Sequence, residues 1–351
     1  FSPNHAQDHR LWRSKAGSGA HFLVTTDNGQ SWQAAGNMPG ATVHNLIGAG
    51  LQSDSPLWSL TPYGLLSTSP SGAAPTWLLD YSSASRRPKA PSVLAASPVF
   101  AADGTAVAFD SITTDGGESW QALSFSAELR EARTSAAAFA PDFARSHTMA
   151  VAWGVYDRGQ FGYFAVSTDG GASWQQHTHA VAAPIVIAFD AAWPAAQTIC
   201  VSGELGLACT SDLGGTWRRA GDPVGWLNVT GLVSRMEDAT SALYAATNTH
   251  GVWRSADGGQ TWTAFNSRLP NGHACAIAGR ADLLAVGLCD GSIYLWQRQL
   301  TAWQRLGGPT PGGVNALVLR DDGIDWVGAS SGIFRSARLA PQQQFPLIMA
   351  K

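Results

Sequence analysis

The chain has 351 residues and a formal net charge of −3, with 13% of residues charged against 38 glycines and 15 tryptophans. So few charges argue against long amphipathic helices, and the slightly acidic balance gives no reason to expect nucleic acid as a partner. No apolar run reaches the roughly 18–20 residues needed to span a bilayer, and no signal peptide is visible.

A chain that starts at Phe1 rather than Met is expected to be processed or partial, with any anchor or export signal lying upstream. Ser2-Pro3-Asn4-His5-Ala6-Gln7-Asp8 matches two later segments, one starting at Ser97-Pro98 and the other at Ala140-Pro141. Both later copies sit between a first and a second predicted strand, so the N-terminus is expected to enter its unit just after a missing first strand. Thr25–Trp32 then reads Ser/Thr-x-Asp-x-Gly-x-Ser/Thr-Trp. The signature returns at Thr113–Trp120, Ser167–Trp174, Thr210–Trp217 and Ser255–Trp262, with degenerate copies ending at Trp77 and Trp303. The closing tryptophans lie 41 to 54 residues apart.

The repeat divides the chain into units of about 1–36, 41–82, 91–123, 132–178, 182–221, 225–266, 272–306 and 312–351. In unit 225–266, strands are predicted at Asn228–Val233, Ala242–Thr247, Gly251–Ser255 and Thr261–Phe265, with a turn at Asp257-Gly258-Gly259. First strands such as Ala136–Ala140 and Ile185–Phe189 are small and apolar, as strands converging on an axis must be. At the C-terminal end, Asn315–Leu319, Asp325–Ala329 and Gly332–Ser336 give three strands without the signature, and Phe345–Ala350 offers another.

A period of about 40–50 residues with short strands and glycine turns is what β-propeller blades produce. The expected fold is all-β: a single β-propeller domain over residues 1–351, built of four-stranded antiparallel blades. Six full units and two partial ones give eight blades. Merging the partial units gives seven as the alternative. Strands from both termini are expected to close the ring, which removes open sheet edges.

Within the signature, Asp27, Asp115, Asp169, Asp212 and Asp257 are expected to accept hydrogen bonds from turn N–H groups. Gly29, Gly117, Gly171, Gly214 and Gly259 permit a left-handed backbone. Trp32, Trp120, Trp174, Trp217 and Trp262 are expected to bury their rings against a neighbouring strand or blade. These roles are structural rather than ligand-binding.

These residues resemble the Asp-box, or bacterial neuraminidase repeat, and the resemblance covers nearly the whole chain. The repeat occurs in sialidases, xyloglucan-active endoglucanases, sortilin-type receptor ectodomains and photosystem II assembly-factor-like propellers. The compact Ser-x-Asp-Gly-Gly-x-Ser/Thr-Trp form here is most similar to the last group and to related secreted bacterial repeats. The resemblance implies the fold; it does not carry over one function.

Cys200 falls opposite Cys209 if Glu204-Leu205 form a two-residue hairpin loop. Cys275 and Cys289 bracket a second hairpin turning near Arg280–Asp282, where a one-residue shift would spoil the pairing. Two disulfides would imply an oxidising, extracytoplasmic compartment; the alternative is four buried free thiols. The cysteine spacings are not those of a zinc site. His177 and His179 read as a solvated surface pair, and no metal or cofactor is implied.

A sialidase would need an arginine cluster, a Tyr nucleophile with a Glu partner, and an Arg-Ile-Pro segment. The nearest match to that segment is Arg87-Pro88, and the six tyrosines show no Tyr–Glu pairing along the sequence. A glycosidase would need two facing carboxylates, but nothing selects a pair among Asp157, Glu204 and Asp290. No nucleophile elbow, phosphate loop or dinucleotide fingerprint is present.

The expected function is therefore a non-catalytic, secreted or surface-exposed propeller that binds protein within a larger assembly. Glycan binding or cleavage is the alternative. The face opposite the Asp-box turns is the expected recognition surface, carrying Tyr63, Tyr156, Asp157, Arg158, Phe161, Glu204, Trp226, His250 and Asp290. Inter-blade segments add Arg86, Arg87, Lys89 and Arg268. The stretch Gly154–Gly162 stands out because it combines aromatic rings with both charge signs.

Overall fold

The computed structural model describes residues 11–15, 21–25, 33–37, 45–48, 56–61, 64–68, 76–80, 93–123, 133–154, 162–179, 181, 184–203, 206–270, 272–280, 282–298, 300–305, 313–319, 324–328 and 332–335. Six four-stranded antiparallel sheets are formed by residues 45–80, 94–122, 133–179, 184–219, 229–264 and 274–305. Residues 11–37 and 314–335 form three-stranded sheets. Within each sheet the strands pair in chain order, so the turns after the first and third strands share one end and the second turn lies at the other.

The sheets stand side by side through their first strands. Asn45–Gly48 packs beside Leu94–Ala96, which packs beside Arg133–Phe139, and the series continues through Pro184–Phe189, Val229–Glu237, Ala274–Arg280 and Val314–Leu319. Val314–Leu319 in turn lies beside Asn45–Gly48, and Leu11–Lys15 lies beside Gly332–Arg335. The core is accordingly a set of seams between sheets. Phe164 and Ala152 meet Ile187 and Val201, Leu207 meets Leu243 and Ala245, and Val252 meets Leu284 and Val286. Alanines in the first strands allow the close approach these seams need.

Five first strands carry a register shift at the same place, near the end facing the second turn. The shifts fall between Thr134/Ala136, Pro184/Val186, Val229/Gly231, Ala274/Ala276 and Val314/Ala316. A bulge adds twist and re-aims the extra side chain. Here Thr230 Oγ1 turns to donate to Ala274 O of the next sheet at 2.6 Å. Cys275 occupies the same position and forms a disulfide with Cys289. Cys200 and Cys209 are register partners across a hairpin in which Gly203 pairs with Gly206, and they form the other disulfide.

Unit 225–266 departs from the sequence expectation in its fourth strand, which is confined to Thr263–Ala264, and more consequentially in its first hairpin. Its first strand runs Val229–Glu237, four residues beyond Val233, and its second starts at Thr240. In sheets 94–122 and 133–179 a short helix, Phe100–Asp103 or Phe143–Ser146, bridges the first two strands. Here Glu237 pairs directly with Thr240, and Asp238 takes a positive φ of 55° to close the turn. Asp tolerates that left-handed conformation better than most residues.

Candidate functional site

The Asp-box turns repeat one geometry at Asp115, Asp169, Asp212 and Asp257. In the turn at Ser167–Trp174, Ser167 Oγ donates to Asp169 at 2.7 Å and accepts from Gly171 N at 2.8 Å. Asp169 also accepts from Ser173 N at 2.9 Å and Ser173 Oγ at 2.6 Å. Trp174 Nε1 donates to Gly171 O at 3.1 Å, closing the turn. The Ser173 hydroxyl is the main reason the Asp169 carboxyl falls to a pKa of about 2. Asp212, held chiefly by Thr216 N–H, also falls to about 2. The box glycines face the preceding sheet: a Cβ on Gly214 would lie 2.8 Å from Phe164, and one on Gly259 3.1 Å from Cys209 Sγ. The Trp217 ring meets that same Phe164 edge-to-face at 5.1 Å. The turns thus fasten one sheet to the next. Asp27, Gly29 and Trp32 lie outside the described residues.

Of the residues expected on the opposite face, Tyr63, Tyr156, Asp157, Arg158, Phe161 and Glu204 lie outside the described residues, as do Arg86, Arg87 and Lys89. Trp226 closes the 3₁₀ turn Val224–Trp226 and is 68% exposed. The Arg219 guanidinium sits 4.2 Å from its ring centroid, while Arg219 Nη1 donates to Gly225 O at 2.8 Å. The turn is pressed onto the Gly203–Gly206 hairpin, because a Cβ on Gly206 would fall 1.9 Å from Gly225 O. Ile185, 40% exposed, belongs to the same sheet at the same end. His250 and Asp290 serve their own turns: His250 N donates to Thr247 Oγ1 at 3.1 Å, and Asp290 Oδ1 accepts from Ser292 N at 2.8 Å. His177 is half-buried rather than solvated: its Nε2 is shielded from water without a hydrogen bond, and its ring lies against Gly214.

A second feature lies on the Asp-box side, at the seam between sheets 229–264 and 274–305. The over-long Val229–Glu237 strand carries Arg235 and Glu237 on one face, two residues apart. Tyr244 and Arg254 are register partners on the next two strands. With Asp238, Phe265, Trp296 and Arg298 they line a cleft of about 220 Å³. Tyr244 OH and Arg254 both donate to the Glu237 carboxylate. Burial pushes Glu237 up, but hydrogen bonds from Arg254 and Tyr244 outweigh it and hold the carboxyl below its usual range. Burial, reinforced by Glu237, pushes the Tyr244 phenol up to about 12.

This Tyr–Glu pair is not apparent along the sequence because seven residues and a tight turn separate its members. Tyr244 is buried and its hydroxyl donates to Glu237, so the pair ties the first two strands of this sheet together. Arg298 pairs with Asp238. Among the described residues no group of three or more His, Cys, Asp or Glu is placed to hold a metal, and no helix is long and apolar enough to cross a membrane.

Against solved structures, the chain superposes on YCF48 from Cyanidioschyzon merolae with a TM-score of 0.55 at 13% identity, covering 85% of this chain and 95% of that one. It superposes on the RRP9 WD40 repeats with a TM-score of 0.61 at 13% identity, again covering 85% and 95%. The Dos1 propeller gives 0.55 at 11% identity, covering 92% and 88%. The fold is a β-propeller. No known family and no curated protein matches the chain. At these identities the likeness concerns the propeller fold alone. The two disulfides suggest an oxidising compartment for this propeller.

Proposed function

We propose that this propeller is a non-catalytic, extracytoplasmic protein-binding module of a larger assembly, engaging its partner through the face opposite the Asp-box turns. The exposed Trp226 carries the reading. Its ring is held open by the Arg219 cation and by a 3₁₀ turn packed on the neighbouring hairpin. Large aromatic and arginine side chains of this kind supply most of the energy at protein interfaces. The structural likeness to YCF48 and the Asp-box form shared with photosystem II assembly-factor-like propellers agree with it.

The whole chain forms one propeller domain in this reading, with seven blades rather than eight. Val314–Leu319 lying beside Asn45–Gly48 supports closure of the ring by those two strands. In this reading Leu11–Lys15, which lies beside Gly332–Arg335, belongs to the same blade as the sheet of residues 314–335. Each terminus contributes to that blade, which covers the Gly332–Arg335 edge.

Glycan binding is the second reading, because an exposed indole is also a platform for a sugar ring. Replacing Trp226 with Ala separates the two. Loss of a stoichiometric protein partner with unchanged polysaccharide retention supports protein binding. Loss of polysaccharide retention with no protein partner supports glycan binding.

A further inference from the structure

The Arg235 guanidinium is 4% exposed, and its Nε, Nη1 and Nη2 atoms make no hydrogen bond. It lies 5.2 Å from the Trp296 ring and 5.9 Å from the Tyr244 ring, so aromatic faces offset part of its burial. Among the described residues, the one acid within ion-pair distance is Asp282, whose carboxylate stands 3.9 Å away and whose side chain is 68% exposed; Glu237, on the same strand face, acts on it through space but is hydrogen-bonded to Tyr244 and Arg254. A guanidinium presents five donors in a rigid fork suited to a carboxylate, and leaving them unused in a buried site is costly. Arg235 lines the cleft together with Arg298, and the partly exposed Arg298 stands 4.0 Å from the exposed Asp282.

We propose that this cleft is a carboxylate-binding site in which an incoming carboxylate displaces Asp282 and takes the Arg235 fork. A carboxylate fits better than a phosphate. Arg235, Arg254 and Arg298 are already balanced by Glu237, Asp238 and Asp282, so a dianion would leave a larger uncompensated negative charge than a planar monoanion. Tyr244, Phe265 and Trp296 give the ligand's carbon arm an apolar wall. Asp282 works as a displaceable internal competitor: its ion pair is long and its side chain exposed, a pairing worth little in water. The site lies on the side opposite Trp226 and does not depend on how that face is used.

The test follows the Arg235 Nε–Hε resonance in the full chain labelled with ¹⁵N-arginine, assigned by its loss in Arg235→Lys. The probes are sodium acetate and acetyl-Ala-Glu-Ala-amide, with acetyl-Ala-Gln-Ala-amide and inorganic phosphate as controls. The expected result is a saturable shift with the carboxylates and none with the controls. Asp282→Asn, an exposed change that keeps Arg235, should tighten binding about fivefold by removing a weak competing ion pair. A shift with the glutamyl peptide marks an acidic protein segment as the source, and a shift with acetate alone marks a small-molecule acid. No shift with either carboxylate, in the native chain and in Asp282→Asn alike, overturns the proposal. Equal shifts with phosphate also overturn it.

Discussion

At the scale of single residues, the Asp-box turns join local hydrogen bonding to packing between sheets. Gly214 has φ +102°, and a Cβ there meets Phe164 at 2.8 Å and His177 at 2.9 Å. Gly214→Ala therefore combines backbone strain with overpacking and should cost about 2–4 kcal/mol, measurable by denaturant unfolding. The box carboxylates also set an acid limit. Asp169, Asp212 and Asp257 each fall from 3.8 to about 2 in the fold. A depressed folded-state pKa contributes stability that is fully present above about pH 4 and is lost as pH falls toward 2. The midpoint of thermal unfolding should fall over that window. The triple change to Asn at these three positions should lower stability at pH 7 and flatten the acid decline.

At the scale of elements, the hairpin is the unit that both disulfides fasten. Joining Cys200 to Cys209 closes a loop of sequence separation 9, and its removal by Cys200→Ala with Cys209→Ala should cost about 2–3 kcal/mol. Comparing the midpoint of unfolding with and without reductant in a Cys275→Ala/Cys289→Ala chain, where Cys200–Cys209 is the remaining disulfide, checks the same figure. The hairpin scale also shows what the sequence does and does not reveal. The tryptophan spacing and Gly turns expose the sheets because each blade repeats the same lock. The Cys200–Cys209 register follows from a symmetric two-residue turn. The Arg235 cleft is hidden for a physical reason: Arg235-Met236-Glu237 breaks the apolar pattern that marks a strand core, so the strand reads as ending at Val233. Its continuation depends on Asp238 adopting a left-handed turn and on Glu237 finding Tyr244 and Arg254 across the sheet, pairings that only the folded hairpin creates. Trp226, by contrast, stands out in sequence as an aromatic in an inter-blade segment, although its Arg219 support comes from the preceding strand.

At the scale of the whole molecule, the repeat count and the ring count part company. Eight repeat units are visible along the chain, whereas the proposed ring has seven positions around the axis, with the N-terminal strands assigned to the last blade. Single-particle class averages viewed down the axis should show seven blades; eight would return the N-terminal unit to a blade of its own. A rigid ring of this kind separates its two faces, so that the Asp-box side and the Trp226 side can serve different partners. The proposed role rests on the second of these faces. The measurement that tests it most directly is a quantitative pull-down from the native source in mild detergent. Native protein and Trp226→Ala are compared by mass spectrometry, after circular dichroism has shown equal folding. The account predicts a stoichiometric protein partner on the native chain that is lost from Trp226→Ala. A chain that comes out alone and hydrolyses a polysaccharide would contradict it.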